Sequence, residues 1–315
     1  MRLILQISIL ILVLGCTGRN KKAEGKSDIQ GTIESNGIQF KYVIQGKGEP
    51  LLVVGSSVYY PKAFSEILKD KFEMIFVDAR HFIPTYDPTD EELASISLMT
   101  WADDLEMIRT KLNLDKITVI GHSVHAQIAL EYANKFPDNL SRLVIICGIP
   151  YSIAEYSDLS NELWMKEADD KRKSISGTRL SKQDSILKIT PPNKIFAVSY
   201  DLNAPKYWTD PDYDSSYLLN DLKTSPKAFK KLATSIPSKE EVIEKLENLK
   251  IPTLVILGKL DFAIPYTAWE QIFNKIHNKN IKYHLINEAS HNPQTEEITA
   301  FKFDEILTKW ISVNK

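Results

Sequence analysis

Ser123 is the residue best placed to do chemistry. The apolar run Ile117 to Ile120 leads into Gly121, His122, Ser123, Val124, His125 and Ala126, and a helical pattern continues to Phe136. A serine between strand and helix occupies a sharp, strained turn that thrusts its hydroxyl clear of the sheet. Free N–H groups at the helix N-terminus can then stabilise developing negative charge. Acyl transfer is the chemistry that suits such a group. The hydroxyl must lose its proton to a base, ordinarily an imidazole held by a carboxylate. Six histidines are available, His81, His122, His125, His277, His284 and His291. His284 falls inside a strand pattern and His277 at a helix end in solvent. His81 follows the run Met74 to Val77 and could line a cleft.

The elements that must position these groups alternate along the chain. Residues 32 to 35 and 38 to 45 flank Asn36-Gly37, a strong hairpin signal, so the fold should open with two antiparallel strands. Leu51 to Val54, Met74 to Val77, Ile117 to Ile120, Leu143 to Ile146, Thr253 to Leu257 and Ile281 to Ile286 are apolar or β-branched runs. Such runs suit parallel strands buried on both faces. Between them lie helical patterns over Trp101 to Leu112, Ser123 to Phe136, Lys239 to Leu249, Tyr266 to Ile276 and Ile298 to Ile311. The alternation predicts an α/β sheet. Residues 150 to 238 break the rhythm, with many aromatics and no clean apolar strand, and predict an inserted helical subdomain.

From Ile33 to the C-terminus the sequence resembles the α/β-hydrolase superfamily, and the Gly-x-Ser elbow carries that resemblance. It implies the α/β-hydrolase fold, a mostly parallel central sheet with helices on both faces and an inserted helical cap. The core would comprise 31–149 and 239–315, and the cap 150–238. Glu288 to Pro293, continuing to Glu296, resembles the family's last block, in which His follows the final strand, so the resemblance makes His291 the base. Gly258, Lys259, Leu260, Asp261 and the following residues to Pro265 resemble the acid-bearing loop and make Asp261 the third member. The order Ser, Asp, His agrees with this fold. Backbone N–H groups of Val124 and Ser56 are the expected oxyanion donors.

The chain departs from the family's pattern in three places. His125 stands where Gly usually follows the nucleophile by two residues. Val54 occupies the position of a common His before Gly55. Asp78, Ala79, Arg80, His81 departs from Asp-x-Arg-Gly, and Asp78 with Arg80 reads as a structural ion pair. His122 matches the common residue before the serine. Tyr59, His125 and Trp164 are the candidates to line the substrate cleft, and for His125 a role in packing or in supporting the elbow is expected ahead of direct contact with substrate. Serine at the elbow argues against the haloalkane dehalogenase and epoxide hydrolase branches. A small ester or lactone is the favoured substrate. The alternative is a proline iminopeptidase-like aminopeptidase, with Glu155, Asp158, Glu162 or Glu167 holding the substrate's amino cation, although that branch's Gly-Gly-x-Pro-Gly-like loop is absent. From another class, a ligand-binding relative without turnover would keep the fold.

Composition narrows the field further. The 315 residues carry 39 basic and 41 acidic side chains, a net charge of -2 that offers nucleic acid no attracting field. No glycine-rich dinucleotide loop or metal-ligand spacing is evident, so neither cofactor nor metal is expected. The apolar run from Leu3 to Leu14 has the length of a signal-peptide core rather than a membrane span. Its end, Leu12 to Cys16, resembles the lipobox of bacterial lipoproteins. That resemblance implies a signal over 1–15, lipid on Cys16, a tether over 16–30, and a folded domain held at the cell envelope outside the cytoplasm. The partners expected are a small-molecule substrate and, through the lipid, a membrane, with no expectation for oligomeric state. Cys147, at the end of an apolar run, is expected to be an inert core thiol.

Overall fold

The computed structural model describes residues 28–314. The expected signal, Cys16 with its expected lipid, and most of the expected tether therefore lie outside the described residues. Eight strands form one sheet: β1 (Ile29–Ser35), β2 (Ile38–Gly46), β3 (Glu49–Gly55), β4 (Phe72–Asp78), β5 (Ile117–His122), β6 (Leu140–Ile146), β7 (Thr253–Gly258) and β8 (Ile281–Ile286). Their order is β1-β2-β4-β3-β5-β6-β7-β8. β1 and β2 form the expected hairpin, turned by Asn36 and Gly37 with φ of 52° and 75°. β2 runs antiparallel to β4, and every further neighbour pair is parallel.

The central strands read as unbroken apolar runs because both faces of the sheet are covered. Alternate residues divide between two cores, since successive side chains point to opposite faces. Leu52, Val54, Ile75, Val77, Val119 and Ile145 face one core, which includes Trp101, Ile128, Val242 and Trp269 from helices Leu98–Lys111, His125–Lys135, Lys239–Glu247 and Tyr266–Phe273. Leu51, Val53, Met74, Phe76, Ile120 and Val144 face the other, with Phe303, Leu307 and Ile311 of helix Glu297–Val313. β8 departs from the expectation of burial on both faces. Lys282, Tyr283 and His284 are exposed, because no strand follows it to close that edge.

Between β6 and β7 the chain is helical throughout, with helices Ile153–Glu167, Asp170–Leu180, Gln183–Ile189, Ile195–Leu202, Ala204–Tyr207, Ser216–Leu219 and Pro226–Thr234. This insertion supplies Tyr151, Tyr156 and Leu232 to the first core and Trp208, Leu218 and Leu222 to the second. It thereby straddles the carboxyl ends of the parallel strands, where open α/β sheets place their ligands.

Candidate active site

Ser123 has φ of 57°, a left-handed conformation that costs an L-residue energy and is kept only when its surroundings enforce it. They do so through the backbone. Ser123 N–H donates to Ile146 O at 3.0 Å, while its own carbonyl accepts from Ala126 N at 3.2 Å and Ile149 N at 3.0 Å. The turn is thus stitched to the end of β6, and the side chain opens into a cavity of about 200 Å³.

Asp261 and His291 come from the loops after β7 and β8. Those loops pass so closely that a Cβ on Gly258 would lie 2.0 Å from Ser290 O, leaving glycine the one residue that fits. His291 Nδ1 lies 2.7 Å from Asp261 Oδ2. The other carboxylate oxygen accepts from Ala263 N at 3.1 Å and Ile264 N at 2.8 Å. With Nδ1–H committed to the acid, Nε2 is left with the lone pair, and it is buried without a hydrogen-bond partner. His291 N–H donates to Tyr207 O at 3.2 Å, and the Tyr207 ring lies 5.2 Å from the imidazole. Among the described residues no Ser123–His291 hydrogen bond is formed; such bonds commonly tighten only when substrate is bound.

Cys147 has φ of 40° and is buried, with its Sγ 3.5 Å from Ser290 O. Ligating atoms of Cys147, Asp261 and His291 lie within 4.8 Å of one another. The thiol therefore neighbours the acid–base pair in space, although no His or Asp is near it in sequence. Burial first, and then Asp261, push its pKa well above the ordinary value, which keeps it protonated and unreactive as expected.

On the other side of Ser123 stands the loop after β3. Ser56 Oγ accepts from Val58 N and Tyr59 N, both at 3.1 Å, and Ser57 N–H donates to Asp78 Oδ1 at 2.6 Å. The N–H groups of Ser56 and Val124 donate to no protein acceptor among the described residues, as an oxyanion site requires. Asp78 and Arg80 do not pair with each other. Asp78 points back to Ser57, whereas Arg80 forks onto Asp104 of helix Leu98–Lys111, at 2.5 and 2.8 Å. Burial raises the Asp78 carboxyl to about 6 against the pull of the Ser57 bonds.

Tyr59 and His125 line the cavity, together with Tyr60, Phe82, Ile149, Phe196, Tyr200, Tyr207, Leu219, Leu222 and Phe229. Trp164 does not. It packs edge-on against Phe262 at 5.3 Å, beneath Lys206 Nζ at 5.7 Å, in a small cluster with Leu163 and Ala168. Glu155, Asp158, Glu162 and Glu167 are all solvent-exposed, and the cavity lining contains no carboxylate.

Asn292 escaped the sequence reading. Tyr59 and Tyr200 hydroxyls donate to its Oδ1 at 3.0 and 3.2 Å, and its Nδ2–H donates to Tyr207 O at 3.1 Å. One amide joins the loop after β3, the inserted helices and the His291 loop. Its place directly after His291 was the available signal.

Strained serine, buried acid–imidazole pair and free N–H groups at the strand ends belong together in the α/β hydrolase fold. Residues 53–298 match the family model described by that name, and the chain belongs to this family. Among proteins, it is 26% identical over 283 residues to the AB hydrolase superfamily protein YclE of Bacillus subtilis, covering 89% of this chain and 98% of that one. It is 23% identical over 298 residues to a proline iminopeptidase of Clostridium botulinum, covering 85% and 92%. Among solved structures, an alpha/beta fold family hydrolase from Bacillus anthracis superposes with a TM-score of 0.65 at 21% identity, covering 90% and 99%.

Proposed function

We propose that the protein is a serine hydrolase acting on small esters or lactones with an uncharged, apolar acyl group. Ser123 Oγ attacks the acyl carbon while His291 Nε2 takes its proton, and Asp261 holds the imidazole in the tautomer that leaves Nε2 free. The carbonyl oxygen, becoming an oxyanion, is received by Ser56 and Val124 N–H. His291 then returns the proton to the departing alkoxide, and a water deprotonated by the same nitrogen releases the acid and restores Ser123.

The observation that carries this reading is the pairing of an Asp261-bound imidazole with a strained serine that opens on an apolar cavity. Likeness to a proline iminopeptidase supports a second reading, an aminopeptidase. Such an enzyme needs a carboxylate near the substrate's amino cation, whereas Glu155, Asp158, Glu162 and Glu167 are exposed and none of them lines the cavity. Comparing p-nitrophenyl butyrate with prolyl-naphthylamide decides between them. The expected outcome is ester turnover with fluorophosphonate labelling at Ser123, and hydrolysis of the amide alone would overturn the preference. We further propose that Cys16 carries lipid that holds the domain at the cell envelope. Cys16→Ser should then release the full-length protein from the membrane fraction, and retention there would refute the anchor. No helix among the described residues is long and apolar enough to cross a membrane.

A further inference from the structure

Beside Ser123 lies a chain of buried rings that the mechanism above does not use. His122 Nε2 lies 2.9 Å from His291 O, and His122 Nδ1 lies 3.1 Å from Tyr60 Oη. Tyr60 Oη lies 3.0 Å from His125 Nδ1, which is also 3.0 Å from His122 O. His125 Nε2 lies 2.9 Å from His81 Nε2, the two rings stacked at 5.1 Å. All four side chains are buried.

Hydrogen-bond arithmetic fixes every proton in this chain, because a carbonyl can only accept. His122 must carry its proton on Nε2 to reach His291 O, so its Nδ1 accepts from the Tyr60 hydroxyl. His125 must carry its proton on Nδ1 to reach His122 O, and the same N–H is shared with the Tyr60 oxygen. His125 Nε2 therefore accepts from His81 Nε2–H. One lone pair is left over, and it falls on His81 Nδ1, which is buried without a partner. All three rings are neutral in this arrangement. Burial is the largest cause holding each imidazole well below its ordinary pKa, with the neighbouring histidine next.

Two departures from the family's pattern meet at this chain. The His125 ring fills the space beside Gly55, where a Cβ would lie 2.9 Å from His125 Cε1 and 2.5 Å from Tyr60 Cε2. Gly55 has φ of 142° and follows Val54 directly, so glycine there answers both the backbone and the ring. Tyr60 stands four residues after the expected oxyanion donor Ser56 and is joined to it by Tyr60 N–H to Ser56 O at 3.3 Å.

We propose that His125, acting through the Tyr60 hydroxyl and braced by His81, is the positioning residue that sets the Ser56 N–H against the Val124 N–H across the oxyanion site. The proposal rests on the serine hydrolase reading. His125 touches the elbow through His122 O and the opposite loop through Tyr60, so it braces the direct Tyr60–His122 bond and with it the gap between the two donors. Its nitrogens are both committed, which leaves it no proton to trade with substrate.

The test uses the full-length protein, p-nitrophenyl butyrate and three variants. Tyr60→Phe and His125→Phe should lower kcat by roughly tenfold to a hundredfold, below the loss expected from deleting an oxyanion donor, with KM within about twofold. His125→Asn places an amide N–H where Nδ1–H was and should restore kcat to within about threefold of the wild type. A role in folding alone would lower Tm and would not be rescued by asparagine. In the wild type, 15N spectra should show His122 protonated at Nε2 and His125 at Nδ1, independently of any turnover. Unchanged kcat in both Phe variants, or the reverse tautomers, would overturn the proposal. Wild-type protein that never labels at Ser123 overturns the hydrolase reading instead.

Discussion

Asp261 and Tyr60 stand on opposite sides of Ser123 and are held by different physics. Asp261 belongs to a network built around a charge. Both of its oxygens are occupied, by two backbone N–H groups and by His291. The inserted segment then closes over the pair, with Tyr207 O accepting from His291 N and Glu296 Oε2 accepting from Thr209 N at 2.6 Å. Tyr60 belongs to a neutral network whose rings pass donors and acceptors along until one lone pair is left over. A buried carboxylate must have its oxygens satisfied to remain ionised. The neutral relay carries its unpartnered atom at its end, on His81 Nδ1, whereas on the charged side the unpartnered nitrogen is His291 Nε2, next to the acid itself.

The sharpest way to break the comparison is at its centre. Ser123→Ala should lower kcat on the order of 10⁶-fold while the protein stays folded, measured by ester hydrolysis and circular dichroism. Asp261→Asn strikes the charged side, where an amide favours the wrong imidazole tautomer, and should cost about 10⁴-fold in kcat. At the cavity wall the effect is one of selectivity. Phe229→Ala should raise the octanoate-to-butyrate ratio of kcat/KM by roughly tenfold, read from a p-nitrophenyl ester series.

Stability separates the two sides by sign. Glu296, beside the acid–base pair, has its pKa raised by burial from 4.5 to about 7. The folded protein holds that proton more tightly than the unfolded chain, so its contribution is whole below pH 4.5 and is lost as pH rises through 7. Glu296→Gln should therefore add roughly 2–3 kcal/mol at pH 8 and little at pH 5, by urea unfolding. His125 has the opposite slope. Burial lowers its pKa from 6.5 to about 3, so its contribution is present above 6.5 and is lost as pH falls toward 3. His125→Phe should shrink the drop in stability between pH 7 and pH 4 by roughly 3 kcal/mol.

The strands were legible because a parallel sheet covered on both faces demands continuous apolar runs, and those runs ended at Gly121, Asp78 and Gly258 beside the chemistry. β8 read alike yet is half exposed, since a run of six residues carries no mark of being last in the sheet. The inserted helices were legible only as the lack of strands. Their aromatics divide between two cores and a cavity, and composition has no direction, which is why Trp164 turned toward Phe262 rather than the cleft. Asp78 and Arg80 looked like partners because they are close in sequence, but each points to a different element. His125 was visible as an oddity. What made room for it, a glycine seventy residues earlier, is a fact of three dimensions.

Residue 28 leads into β1, which pairs with β2 and forms the outer edge of the sheet. Its ladder begins at Ile29 opposite Ile44 and ends at the turn between Ser35 and Ile38. The strands that carry the site lie beyond β2 in the sheet. Loss of β1 would therefore bare the edge of β2 and leave every strand that carries the site still paired on both sides or at its own edge.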